Sequence, residues 1–102
     1  MAKPTREGSG GSSPECWVVH FSGRVQGVGF RATARALAAR EAVGGFVQNL
    51  PDGRVRMDVE GEAGVLAGLI EAVEERMAGY IDRVQVDRRP ATGQFDQFQI
   101  RF

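Results

Sequence analysis

The feature that most constrains this chain is the stretch Ser22-Gly23-Arg24-Val25-Gln26-Gly27-Val28-Gly29-Phe30-Arg31, set between a strand-like and a helix-like segment. Residues 16 to 21, CWVVHF, are β-branched and aromatic and predict a strand. Phe30, Ala34, Leu37 and Ala38 fall at i, i+4, i+7 and i+8, the apolar stripe of a helix ending near Glu41. Between them, three glycines let the backbone turn tightly and point successive N–H groups into one concavity, a nest for an anion. The helix behind adds its own free N–H groups and the positive end of its dipole. No Ser, Thr, Asp or Asn stands at the expected N-cap near Val28 or Gly29, so the first donors lack a side-chain partner. Arg31 also sits in the first turn, where a cation opposes the dipole. Both choices are locally unfavourable unless an anion binds. A tight loop with packing glycines and a solvated Arg31 is the competing reading. The stretch matches neither GxGxxG nor GxxxxGK[ST], and the chain is too short for a dinucleotide domain.

The rest of the chain supplies the frame. Gly44-Gly45 breaks the helix and FVQNL makes a second strand; Pro51-Asp52-Gly53 is a turn, since Pro presets φ and Gly accepts positive φ. Val55, Met57 and Val59 alternate with charged residues in a third, half-buried strand. Leu66, Leu69, Ile70, Val73 and Met77 repeat at helical spacing, with Gly79 placed to end that helix. Val84 and Val86 mark a fourth strand, and Phe98, Ile100 and Phe102 a short fifth. The order is β-α-β-β-α-β, an α+β class. It predicts an antiparallel-rich sheet with two helices on one face and a more exposed opposite face, the split βαβ or ferredoxin-like sandwich. That arrangement hosts enzymes, RNA binders and metal carriers, so function rests on the loop.

Composition narrows the field further. The 102 residues carry 13 basic and 13 acidic side chains, net charge zero, so no overall field draws nucleic acid or anionic lipid. The lone Cys16 excludes an intramolecular disulfide, and no cysteine–histidine cluster suits zinc. No apolar run approaches membrane-helix length and no signal peptide is visible, so the expected location is the cytosol. Residues 1 to 15, rich in Gly, Ser and Pro, are expected to form a flexible tail, and residues 16 to 102 the folded domain. At this size a monomer is the simplest expectation.

Asn49 is the second candidate. On the second strand it shares a face with Val47; if Val47 faces the helices, Asn49 ends a buried row close to the first loop and to Arg31. Its alternative role is that of a turn residue before Pro51. Together, Gly23-Arg24-Val25-Gln26-Gly27-Val28-Gly29-Phe30-Arg31, then Gly45-Phe46-Val47-Gln48-Asn49 and Asp52-Gly53, resemble the acylphosphatase family, and Phe98-Gln99-Ile100-Arg101-Phe102 is similar to its carboxy end. The likeness spans residues 17 to 102. It implies hydrolysis of the carboxyl–phosphate bond of small-molecule acyl phosphates, without metal or cofactor. It also implies that Arg31 binds phosphate, that Asn49 positions the attacking water, and that Gln26, Gly27, Val28, Gly29 and Phe30 form the phosphate cradle. Ala42 stands where many relatives have glycine, and Phe46 where tryptophan is frequent; both bear on packing. Alternatives of the same fold are a carbamoyl-phosphate-handling module and a non-catalytic anion- or RNA-binding module, the latter disfavoured by Met57 on the third strand and by the neutral charge. His20, Cys16, Arg35 and the pair Arg88-Arg89 are read as structural or solvated, and Arg24 either as a surface residue or as a source of positive potential near the pocket.

Overall fold

The protein is described by a computed structural model of residues 13–102. Its elements are β1 (Pro14–Gly23), α1 (Phe30–Ala38), β2 (Gly44–Asn49), β3 (Val55–Glu62), α2 (Ala63–Arg76), β4 (Ile81–Pro90) and β5 (Phe98–Arg101). The strands form one sheet in the order β4-β1-β3-β2-β5. β1 pairs antiparallel with β3 and β4, β2 antiparallel with β3, and β5 runs parallel to β2. The expected ferredoxin-like sandwich is therefore present, with its fifth strand.

Three boundaries differ from the expectations. β1 already includes Pro14 and Glu15, paired with Glu62 and Gly61 of β3; the remainder of the expected tail, residues 1 to 12, lies outside the described residues. α1 ends at Ala38, not near Glu41, because the chain tightens there: the Arg40 and Glu41 N–H groups donate back to Leu37 and Ala38 carbonyls at 3.3 and 3.0 Å. Gly44 and Gly45 do not merely break the helix; they open β2. Gly45 has φ 139°, and a Cβ there would fall 1.8 Å from the Asp58 carbonyl oxygen, so only glycine lets β2 lie this close to β3.

Both helices cover the face carrying Val19, Phe21, Val47, Met57 and Val59, and they bury Phe30, Ala34, Leu37, Leu66, Leu69, Ile70 and Val73 against it. Each of these side chains other than the Ala34 methyl contributes on the order of 1.5–3 kcal/mol when removed from water. Phe21, where β1 leaves the core, packs its ring 4.8 Å from that of Phe30 at a tilt of 56°. That aromatic pair seats the first residue of α1 directly over the end of β1 and fixes the span the intervening loop must bridge.

The opposite face is polar, yet less exposed than expected. Cys16, Val18, Phe46 and Asp58 are buried there, because charged side chains lie flat across it. Arg56 holds Asp58 through two bonds of 2.7 and 3.0 Å, and the Arg101 guanidinium caps the Phe46 ring at 3.9 Å. An aromatic covered in this way offers no stacking platform to a base. The chain then crosses from the edge strand β4 to the other edge at β5. Glu60 of β3 anchors that crossing by accepting bonds from the Thr92 N–H, the Thr92 hydroxyl and the Gly93 N–H at 2.9, 2.8 and 2.6 Å.

Candidate active site

The β1–α1 loop builds one wall of the site. Gly27 and Gly29 both adopt the left-handed conformation, with φ of 76° and 79°, which a side-chain-bearing residue enters only at a cost. Gly29 is the N-cap of α1 and offers no capping side chain, and no acidic residue occupies the first turn. The first helical bond is closed by the Thr33 N–H on the Gly29 carbonyl at 3.0 Å. The N–H groups of Phe30, Arg31 and Ala32 precede it and have no intrahelical acceptor. The uncapped, dipole-opposed start read from the sequence is thus a real feature of the fold.

Those donors face a cavity of about 200 Å³ lined by Val25, Gly27, Gly29, Phe30, Arg31, Ala32, Asn49, Ile100 and Phe102. The space suits a phosphoryl group with a water; sites for larger ligands run from roughly 300 Å³ upward. Arg31 and Asn49, 18 positions apart in sequence, line the same cavity. Val47 is wholly buried against the helices, so alternation along β2 turns Asn49 to that same side, at the open end of the row.

Arg31 is held from the carboxy end of the chain. One of its terminal nitrogens donates to the Arg101 carbonyl at 3.2 Å, and its guanidinium lies 4.7 Å from the centre of the Phe102 ring. The rest of its donor fork is not engaged by these contacts. β5 therefore orients the cation while leaving it able to grip oxygen atoms. Beyond Ala32 and Ile100, which it shares with this cavity, a larger groove of about 490 Å³ runs along the seam between α1 and β5, with Arg35 and Ala36 on its wall.

Not every residue assigned to the cradle points into it. Val28 packs its side chain against the hydrophobic core. The Gln26 side chain turns to the β2–β3 turn, where its amide nitrogen donates to the carbonyls of Leu50 and Arg54 at 2.8 and 3.0 Å. For these two residues only the backbone is left for an anion. Conversely, Val25, Ala32, Ile100 and Phe102 line the wall without a signal in the sequence that marks them as such; the alternation marks β5 as a strand, but only the sheet order brings it beside α1.

Of the other residues considered, Arg24 is exposed and Arg35 lines the seam groove, while Cys16, His20, Arg88 and Arg89 lie off the cavity wall. Cys16 lies buried within β1, and burial, followed by the nearby Glu60 and Asp58 carboxylates, pushes its thiol up, away from a reactive thiolate. Burial, then the charges of Arg54 and Arg56, lowers the His20 imidazole, away from the cavity. Arg88 pairs with Glu15 through two bonds of 2.9 Å, and Arg89 pairs with Asp87.

The sequence pattern of the family described as Acylphosphatase matches residues 17–100. The chain belongs to the acylphosphatase family. It is similar to the acylphosphatase of Rubrobacter xylanophilus, 44% identical over 84 residues, covering 81% of this chain and 76% of that protein. Among solved structures it is similar to the acylphosphatase from Bacillus subtilis, with a TM-score of 0.80 at 29% identity over 86% of this chain and 99% of that one. It is also similar to part of full-length HypF, solved in a phosphate- and nucleotide-bound form, with a TM-score of 0.75 and 27% identity. There the match covers 87% of this chain and only 12% of the other.

Proposed function

We propose that this chain hydrolyses acyl phosphates to a carboxylate and inorganic phosphate by direct in-line attack of water, with Arg31 and Asn49 as the catalytic residues. The observation that carries the reading is the convergence on one cavity of the left-handed glycines, the free start of α1, Arg31 and Asn49. Membership of the acylphosphatase family supports it.

Phosphoryl transfer passes through a loose transition state, so a protein contributes chiefly position and charge stabilisation. The backbone N–H groups of residues 26 to 32 and the Arg31 guanidinium hold the non-bridging oxygens, the planar fork of Arg matching their spacing better than an ammonium would. The Asn49 amide oxygen accepts a bond from the water and aims it at phosphorus opposite the bridging oxygen. The new O–P bond forms as the P–O bond to the acyl group breaks, and the electron pair leaves with the carboxylate. A proton of the water passes to a phosphoryl oxygen, giving dihydrogen phosphate, so charge and atoms balance without a general base. A carboxylate is a weak base and leaves without a proton donor. This accounts for a cavity wall free of His, Asp and Glu. The acyl group departs toward the α1–β5 seam, the adjoining open space.

We take the working form to be a monomer in the cytosol acting on small diffusible substrates, without nucleic acid or membrane. In support, the exposed large apolar side chains among the described residues are few, with Val86 on β4, Tyr80 just before it and Phe102 after β5. The deciding experiment follows release of phosphate from benzoyl phosphate with a chelator present. Turnover by the wild-type chain that falls at least about a hundredfold in Arg31→Gln is expected, the scale on which removing a transition-state donor acts. Undiminished turnover in Arg31→Gln would overturn the assignment.

A further inference from the structure

The Gln26 amide spans two parts of the chain that the reaction needs in register. Its side-chain nitrogen reaches 24 and 28 residues along the sequence, to the Leu50 and Arg54 carbonyls. Leu50 directly follows Asn49, and the Leu50 N–H donates to that same Arg54 carbonyl at 2.8 Å, closing the β2–β3 turn. One amide thus braces the phosphate loop against the turn that ends the Asn49 strand. Both protons of the amide are used, each on a carbonyl, and the group is partly buried, so few competing waters reach it.

We infer that Gln26 is a positioning residue: it sets the gap between the phosphoryl group held by the loop and the water held by Asn49, and does not itself touch the substrate. This rests on the hydrolytic reading above. The physical reason is that, among the described hydrogen bonds, those of Gln26 join the loop directly to the turn, while the other links run the longer way through β1 and β3 or through Arg31 and β5. The loop between β1 and α1 makes no ladder bond to β2, which pairs only with β3 and β5. In-line attack tolerates little error in that distance, and a misplacement of about 1 Å costs on the order of a hundredfold in rate. A hydrocarbon side chain of the same length could fill the space but could not hold two carbonyls. An ionised carboxylate would repel both of them.

The test compares Gln26→Met, Gln26→Glu, Asn49→Ala and the Gln26→Met/Asn49→Ala double variant, with inorganic phosphate as competitive inhibitor and acetyl phosphate as substrate. Gln26→Met is expected to lose roughly ten- to a hundredfold in kcat, while inhibition by phosphate, which reports an intact loop in a folded chain, changes less than about threefold. Because Gln26 acts through Asn49, the double variant should turn over no more slowly than Asn49→Ala alone. In Gln26→Glu, kcat should rise as pH falls toward 5, since a protonated carboxyl donates to one carbonyl and an ionised one to neither. Phosphate affinity falling in step with kcat would overturn the inference and return Gln26 to the cradle. So would losses that multiply in the double variant, or a Gln26→Glu profile parallel to the wild type. Absence of wild-type turnover on acetyl and benzoyl phosphate would instead refute the hydrolytic reading itself, a separate outcome.

Discussion

Adding one methyl group to a glycine in open space should have opposite consequences at two places in this fold. At Gly29 a Cβ would meet nothing within 4 Å, and the same is true at Gly68 on the exposed side of α2. Sterics against neighbours therefore cancel from the comparison, and only the backbone differs. Gly29 holds φ 79° and ψ 19°, the left-handed well, where an L side chain costs about 1–2 kcal/mol. Gly68 is interior to a helix, where replacing glycine with alanine gains roughly 0.5–1 kcal/mol. For a domain of this size each kcal/mol moves the midpoint by about 4–8 °C. Gly29→Ala should thus melt about 4–15 °C below wild type and Gly68→Ala a few degrees above it, read by calorimetry at matched concentration. Gly29→Asn should fall less far than Gly29→Ala, since asparagine visits the left-handed well more readily. Were Gly29→Ala to keep both the wild-type midpoint and wild-type inhibition by inorganic phosphate, the left-handed cap would be dispensable, and the backbone cradle would fail as an explanation of binding.

Two further outcomes bear on different parts of the argument. Asn49→Ala should lower kcat on benzoyl phosphate by about a hundredfold while leaving inhibition by phosphate within a few fold; loss of both together would make Asn49 a binding group. At Glu60, burial works to raise the carboxyl, but the bonds from Thr92 and Gly93 outweigh it and hold it below its ordinary value of 4.5. A depressed carboxyl contributes its stability above that ordinary value and loses it as pH falls through the folded one. Wild type should therefore exceed Glu60→Gln by on the order of 1 kcal/mol in urea unfolding at pH 6, a figure kept low because the carboxylate meets water. The gap should close toward pH 3, and one that is constant with pH would show that the charged anchor does not hold the β4–β5 crossing.

What could be read before the fold was known divides along a physical line. Element types and their order follow from periodicity and punctuation, which are local: the stripe from Phe30 to Ala38, the alternation around Met57 and the turn at Pro51-Asp52-Gly53 each carry their own cause. The unusual start of α1 was legible for the same reason, because a missing cap and an adverse arginine are visible within three residues. Pairings at long separation were not. Arg31 meets Arg101 and Phe102 because β5 lies parallel to β2 at the sheet edge, and nothing in either segment announces the other. By alternation Asp58 is one more polar position of its strand; it is buried because Arg56, two residues earlier and therefore on the same face, folds over it.

Gln26 shows the limit most clearly. Its place inside the loop motif marks it as part of an anion cradle, and its backbone fits that role, but a side-chain amide carries donors whose targets the motif does not specify. The two carbonyls that take them belong to a turn whose existence follows from Pro51 and Gly53, yet whose nearness to the loop depends on β3 lying antiparallel beside β1, which sets Val55 opposite Phe21. A nine-residue motif can therefore state what chemistry a loop performs while leaving unstated how that loop is held at working distance from its partner strand. That second property is decided by sheet order, and it is the one the paired Gln26 and Asn49 variants measure.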